Sequence, residues 1–313
     1  MPIKIPDKLP ARKTLEAENI FVMTDRRALH QDIRPLKLLL LNLMPTKIVT
    51  ETQLLRRLSN TPLQVEVEFL QTASHVAKNT DENHMQAFYR TFDQVRHTRY
   101  DGMIITGAPV ETLHFTQVDY WAELCQIMEW TKTHVHSTMH ICWGAQAALY
   151  YHHQIEKKPL DGKLFGIFPH RVTCPTSPLF RGFDDVFFAP HSRHTTIDKG
   201  AVAKAENLRI LAVSDKAGIY ALKTEDNRQF FITGHPEYDA DTLAKEYFRD
   251  KERGLDIAVP ENYFPENNPA NPPHVTWRAA AQLIYTNWLN YHVYQTTPYD
   301  LDTLDNQSQG AKP

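Results

Sequence analysis

The sequence predicts a doubly wound α/β domain: a mostly parallel sheet flanked by helices, with β-rich segments added in the second half. Two observations carry this. Apolar runs such as "LKLLLLNL" (36–43) and "GMIITG" (102–107) are continuous, as in strands covered on both faces, and stretches of helical periodicity separate them. Beyond residue 154 the texture changes to short β segments punctuated by Gly and Pro. The 313 residues, 42% hydrophobic and 23% charged, are ordinary for a soluble enzyme and sufficient for a sizeable core.

Residues 1–35 are polar and Pro-punctuated and read as an extended arm, packed on the body or on a neighbouring subunit, with no visible chemistry. The body, 36–297, begins with strand 36–44 and helix 47–59, in which Ile48, Leu55 and Leu58 share a face while Arg56 and Arg57 point away. Strand 64–71, a helical region around 83–96, strand 101–106, helix 120–134, strand 138–142 and a helix from 144 follow. The later segments 163–173, 185–194, 208–214, 217–224 and 228–237 read as hairpins and edge strands of the same sheet. Helix 242–253, a Pro-rich loop 261–274 of functional or interfacial length, a last helix near 279–294 and a polar tail 298–313 complete the chain. We read one elaborated domain.

Composition narrows the function classes. A net charge of −3 and an isoelectric point near 6.6 give no general attraction to nucleic acid or to an anionic membrane. Cys125, Cys142 and Cys174 are far apart, without a CxxC pair, which suits a reducing, cytoplasmic setting. The longest apolar run, 36–44, is too short to span a bilayer, and residues 1–10 lack a signal-peptide apolar region. No P-loop or GxGxxG occurs, and the cluster His134, His136 and His140 lacks the spacing of a zinc site.

The chemistry concentrates in two stretches. In "MHICWGAQAALYYHH" (139–153) Cys142 stands between an apolar strand and a helix start, with Gly144 two residues on. Such a corner exposes a thiol, and the helix N-terminus favours its thiolate, yet free cysteine is also a common core residue. This segment leaves both readings open. In "FFITGHPEYD" (230–239), alternation sends His235 and Glu237 to the same side, so the carboxylate can orient an imidazole whose other nitrogen serves a thiol. Alone, His-Pro-Glu reads as a solvated turn; paired with Cys142 it makes a Cys-His-Glu triad.

Seven motifs in order, "NLMPTK" (42–47), "TGAPVE" (106–111), "ICWGAQAALYY" (141–151), "GKLFGIF" (162–168), "APHSRH" (189–194), "TGHPEYD" (233–239) and "EYFRD" (246–250), resemble the homoserine O-acyltransferases of methionine synthesis, a branch of the class I glutamine amidotransferase-like fold. His140 departs from that wider superfamily, which usually has glycine two residues before the nucleophile, and this argues against a glutaminase. The resemblance implies a ping-pong acyl transfer through Cys142, with His235 as acid and base and Glu237 as its orienter. It also implies an acceptor site at Lys163, Ser192 and Arg249, and an oxyanion region using the Trp143 N–H and supported by Lys47. A second donor is expected from Ala108 or Val110, because Pro109 has no N–H. Glu111 is implied as the acyl selector, acetyl-using relatives tending to carry glutamate and succinyl-using ones glycine. The implied substrates are L-homoserine and acetyl-coenzyme A, with no metal or further cofactor; a homodimer is a candidate assembly, which the sequence leaves open. The expected activity is therefore homoserine O-acetyl transfer, the rivals being succinyl transfer, a glutamine amidotransferase subunit and an inactive binding protein.

Overall fold

The continuous apolar runs form the middle of one sheet in a computed structural model that describes residues 3–6, 8–18, 22–24, 34–75, 80–298 and 300–304. The strands are β1 (Ile3–Ile5), β2 (Val22–Thr24), β3 (Leu36–Leu41), β4 (Val65–Leu70), β5 (Tyr89–Arg90), β6 (Tyr100–Ile105), β7 (Val135–Ile141), β8 (Lys157–Val172), β9 (Val186–Ile197), β10 (Leu208–Ser214), β11 (Gly218–Thr224) and β12 (Gln229–Ile232). The helices are α1 (Ala11–Ala17), α2 (Lys47–Leu58), α3 (Glu82–Phe88), α4 (Phe92–Val95), α5 (Trp121–His134), α6 (Trp143–His153), α7 (Lys199–Ala203), α8 (Thr242–Glu252) and α9 (Arg278–Asn287), the last continued by a π-helical stretch, Trp288–Tyr294.

Sheet order is β2-β1-β4-β3-β6-β7-β12-β11-β10-β8-β9, with β5 beside β4. From β2 through β12 the pairings are parallel, and from β12 outward they are antiparallel. The reason for the continuous apolar runs is visible in β3: Leu38 and Leu40 enter one core, under α2 and α9, and Leu39 and Leu41 enter the other, under α5 and α6. The chain reverses direction across the sheet between β3 and β6, which makes the carboxyl ends of these two strands the expected site of an opening, with β7 and β12 next in order.

The structure corrects several expectations. Segment 228–237 is no edge: β12 pairs in parallel with β7 and completes the central parallel set, while its hairpin to β11 starts the antiparallel extension. The region 83–96 is not one helix, because Tyr89 and Arg90 pair with Phe69 and Leu70 and divide it into α3 and α4. On α2, Ile48 is exposed and Arg57 is buried: α2 lies between the sheet, α1 and α9, and Arg57 donates to the Tyr238 carbonyl. The arm is not simply extended, since β1 pairs with β4 at the sheet edge and α1 buries Ala11 and Leu15; residues 1–2, 7, 19–21 and 25–33 lie outside the described set, as does the tail from 305. Loop 261–274 turns inward at its start, where buried Tyr263 and Phe264 join Phe165, Ile167, Tyr238, Leu243 and Trp277 in a third core beside α8, and its remaining residues are partly or fully exposed.

Candidate active site

Cys142 links β7 to α6 with φ 50° and ψ −115°, a strained backbone for a residue with a side chain. Its N–H donates to the Ile232 carbonyl of β12 at 2.7 Å. Glycine is required at 144, where a Cβ would lie 2.6 Å from the Thr106 carbonyl oxygen and 2.9 Å from that of Ile105. Gly107 approaches from the neighbouring loop, a Cβ there falling 3.3 Å from Cys142 Cβ and 3.6 Å from the Trp143 nitrogen. As the first residue of α6, Trp143 has an N–H with no acceptor inside the helix, while its indole is buried against Phe115 and Tyr120.

His235 reaches this corner because β12 lies next to β7. Its N–H donates to the Pro190 carbonyl at 2.9 Å, its Nδ1 meets Glu237 Oε1 at 2.7 Å, and its ring stacks on Tyr238 with centroids 4.1 Å apart. Burial alone would lower the imidazole pKa, but the charges of Cys142 and Glu237 outweigh it and raise it well above the usual value. Cys142, His235 and Glu237, the expected triad, are thus together and buried.

Two of the three expected acceptor residues, Ser192 and Lys163, meet at a carboxylate that sequence reasoning passed over. Glu246 Oε2 accepts from Ser192 Oγ at 2.6 Å and from Lys163 Nζ at 3.4 Å, while its Oε1 accepts from the Tyr238 hydroxyl at 3.0 Å. Lys163 also lies 3.6 Å from Asp250 and over the Phe165 ring. Arg249 is half-exposed, and its Nε donates to Asp250 Oδ1 at 2.7 Å. Glu246 and Arg249 share one side of α8 by their spacing of three, a signal already present in "EYFRD". Tyr238 joins this cluster to the triad, its hydroxyl on Glu246 and its ring on His235.

Glu111 is held rather than solvated: its Oε1 meets His194 Nδ1 at 2.7 Å, and its backbone carbonyl accepts from Lys157 Nζ at 2.6 Å. Lys47, the first residue of α2, is bonded to the Asn42 carbonyl and lies over Tyr89 in a buried polar group with Glu51 and His84. Burial pushes its pKa down to about 8 against the pull of Glu51. The three histidines of 133–140 find separate neighbours: His134 stacks on Trp130, His136 bonds Thr296 and His140 stacks on Phe231.

The sequence profile described as homoserine O-succinyltransferase matches residues 2–299. The chain belongs to that family. Within the family it is 57% identical over 305 residues to a homoserine O-acetyltransferase of Petrotoga mobilis, covering 97% of this chain and 99% of the relative. It is 58% identical over 304 residues to one of Acetivibrio thermocellus, covering 97% and 100%. A solved glutamine amidotransferase from Thermotoga maritima superposes with a TM-score of 0.54 at 12% identity, over 84% of this chain and 100% of that one, which establishes that the family shares its fold.

Proposed function

We propose that this protein is a homoserine O-acetyltransferase, moving acetyl from acetyl-coenzyme A to the γ-hydroxyl of L-homoserine through an acyl-enzyme on Cys142. The Cys142 thiolate attacks the thioester carbonyl, the bond to the coenzyme A sulfur breaks, and His235 gives its proton to that sulfur. The same imidazole then takes the γ-hydroxyl proton as the oxygen attacks the acetyl carbon, and the Cys142 thiolate departs. Glu237 holds Nδ1 through both steps. The Trp143 N–H, with Ala108 or Val110 as a second donor and Lys47 in support, stabilises the tetrahedral oxyanions. For homoserine, Glu246 suits the ammonium, and Ser192, Lys163 and Arg249 suit the remaining polar groups and the carboxylate. No metal or further cofactor enters these steps.

The observation that carries the reading is the 2.7 Å His235–Glu237 contact beside the strained Cys142 corner, in a chain 57–58% identical along nearly its whole length to homoserine O-acetyltransferases. Three free thiols, and no helix among the described residues long and apolar enough to cross a membrane, suit the cytoplasm. A homodimer is the candidate assembly, and sedimentation velocity tests it. The deciding experiment incubates the protein with acetyl-coenzyme A alone, maps the adduct by mass spectrometry, and then adds homoserine. We expect acetyl on Cys142, discharged by homoserine, and no turnover in Cys142→Ala. A stable adduct on Cys125 or Cys174 with Cys142 unmodified would refute the assignment.

A further inference from the structure

Arg193 is a buried charge for which these steps have no use. It lies on β9 between Ser192, which bonds Glu246, and His194, which bonds Glu111, and its own side chain turns the other way into the core. All of its hydrogen bonds go to neutral acceptors: Nη1 to the Thr195 carbonyl, Nη2 to the Ala217 carbonyl, and Nε to His191 Nδ1 at 3.3 Å. A guanidinium buried among neutral groups is unfavourable unless negative charge is near. Burial lowers its pKa, against the pull of Cys142 and Glu111.

Two of these bonds lead to the two halves of the triad. The Thr195 carbonyl also accepts from Gln146 Nε2 at 3.3 Å, and Thr195 Oγ1 donates to Gln146 Oε1 at 2.8 Å. Gln146 belongs to the first turn of α6, its N–H donating to the Cys142 carbonyl at 3.2 Å. On the other side, an arginine can only donate, so His191 Nδ1 accepts and His191 Nε2 carries the proton, donating it to His170 Nε2 at 3.0 Å. Burial keeps both imidazoles neutral, their pKa values lying well below the ordinary one. His191 so fixed packs under Gly234, where a Cβ would lie 3.1 Å from its Nε2, and it follows Pro190, whose carbonyl holds the His235 N–H.

We propose that Arg193 is a positioning residue for the acyl transfer: its planar fork ties the nucleophile's helix and the base's loop to one strand, keeping Cys142 and His235 in register. This rests on the reading of Cys142, His235 and Glu237 as the triad. The role requires no contact between Arg193 and a substrate.

The test compares Arg193→Lys, which keeps the charge and loses the fork, with Arg193→Gln, which loses the charge. Single-turnover acetylation of Cys142 is timed by mass spectrometry, KM for acetyl-coenzyme A is measured in parallel, and circular dichroism reports folding. We expect both variants to acylate about 100-fold more slowly, the loss typical of a small misplacement of reacting groups, with KM for acetyl-coenzyme A essentially unchanged. If Arg193→Gln does not fold, Gln146→Leu, which cuts the link to α6 and leaves Arg193 in place, is expected to slow acylation with KM unchanged. Acylation at the wild-type rate in Arg193→Lys or in Gln146→Leu overturns the proposal while the triad stands. An acetyl group found elsewhere than Cys142 in the wild-type protein overturns the triad itself, and the proposal with it.

Discussion

Glu111 follows the loop that touches the nucleophile, with its carboxylate turned onto His194 and its side chain only 15% exposed. In the proposed role, this carboxylate would fill the space beyond a short acetyl group and face the distal carboxylate of a succinyl group with a like charge. At ~4 Å and an effective dielectric of ~20 the repulsion is on the order of 4 kcal/mol. Even after solvent reduces it by half, a preference of roughly thirtyfold remains, each ~1.4 kcal/mol being a factor of ten. Glu111→Gly is therefore expected to raise kcat/KM for succinyl-coenzyme A relative to acetyl-coenzyme A by at least that factor, measured as coenzyme A release in the presence of homoserine. A variant that still rejects succinyl-coenzyme A removes Glu111 from the role. At this same scale, the strand-to-helix corner at Cys142 and the pairing of His235 with Glu237 were legible locally, but their roles were legible only once the two stretches were paired and the ordered motifs were matched to a family. Glu246 was not singled out, because only the meeting of α8 with β8 and β9 reveals that it accepts from Ser192 and Lys163.

The elements owe their places to close approach as much as to hydrophobic pattern. α6 can begin beside β6 only because Gly144 has no side chain, its nearest neighbours being two carbonyl oxygens of the adjacent strand end, which cannot move independently of the sheet. Gly144→Ala should therefore lower stability by about 1–3 kcal/mol through overpacking, read by urea unfolding. It should also displace the Trp143 N–H and slow Cys142 acetylation by about 100-fold. Normal acetylation in a destabilised Gly144→Ala protein would separate the helix start from oxyanion binding. Most strands and long helices were readable from periodicity, with ends shifted by a few residues. The division of 83–96 by β5 was not, since a two-residue strand has no pattern of its own and exists only by pairing with β4.

At the scale of the molecule, three packed cores share the work: two on either face of the sheet and a third beneath α8 and loop 261–274. Trp277 anchors the third, fully buried, with its Nε1 donating to the Tyr238 carbonyl at 3.1 Å. Because Tyr238 touches both Glu246 and His235, Trp277→Ala is expected to cost about 3–5 kcal/mol of stability and to raise KM for homoserine more than it slows Cys142 acetylation. Equal losses in both half-reactions would detach this core from the acceptor site. The continuous apolar strands, the helices between them, the cysteine corner and the His-Pro-Glu turn were determined by the sequence alone, because each depends on residues within a few positions of one another. The central place of β12, the burial of Arg57, the inward turn at the start of the Pro-rich loop and the junction of Arg193 with both halves of the triad were decided only by the tertiary structure. They depend on which strands become neighbours and which side chains then share a low-dielectric interior, and no local pattern of apolar and polar residues encodes that pairing.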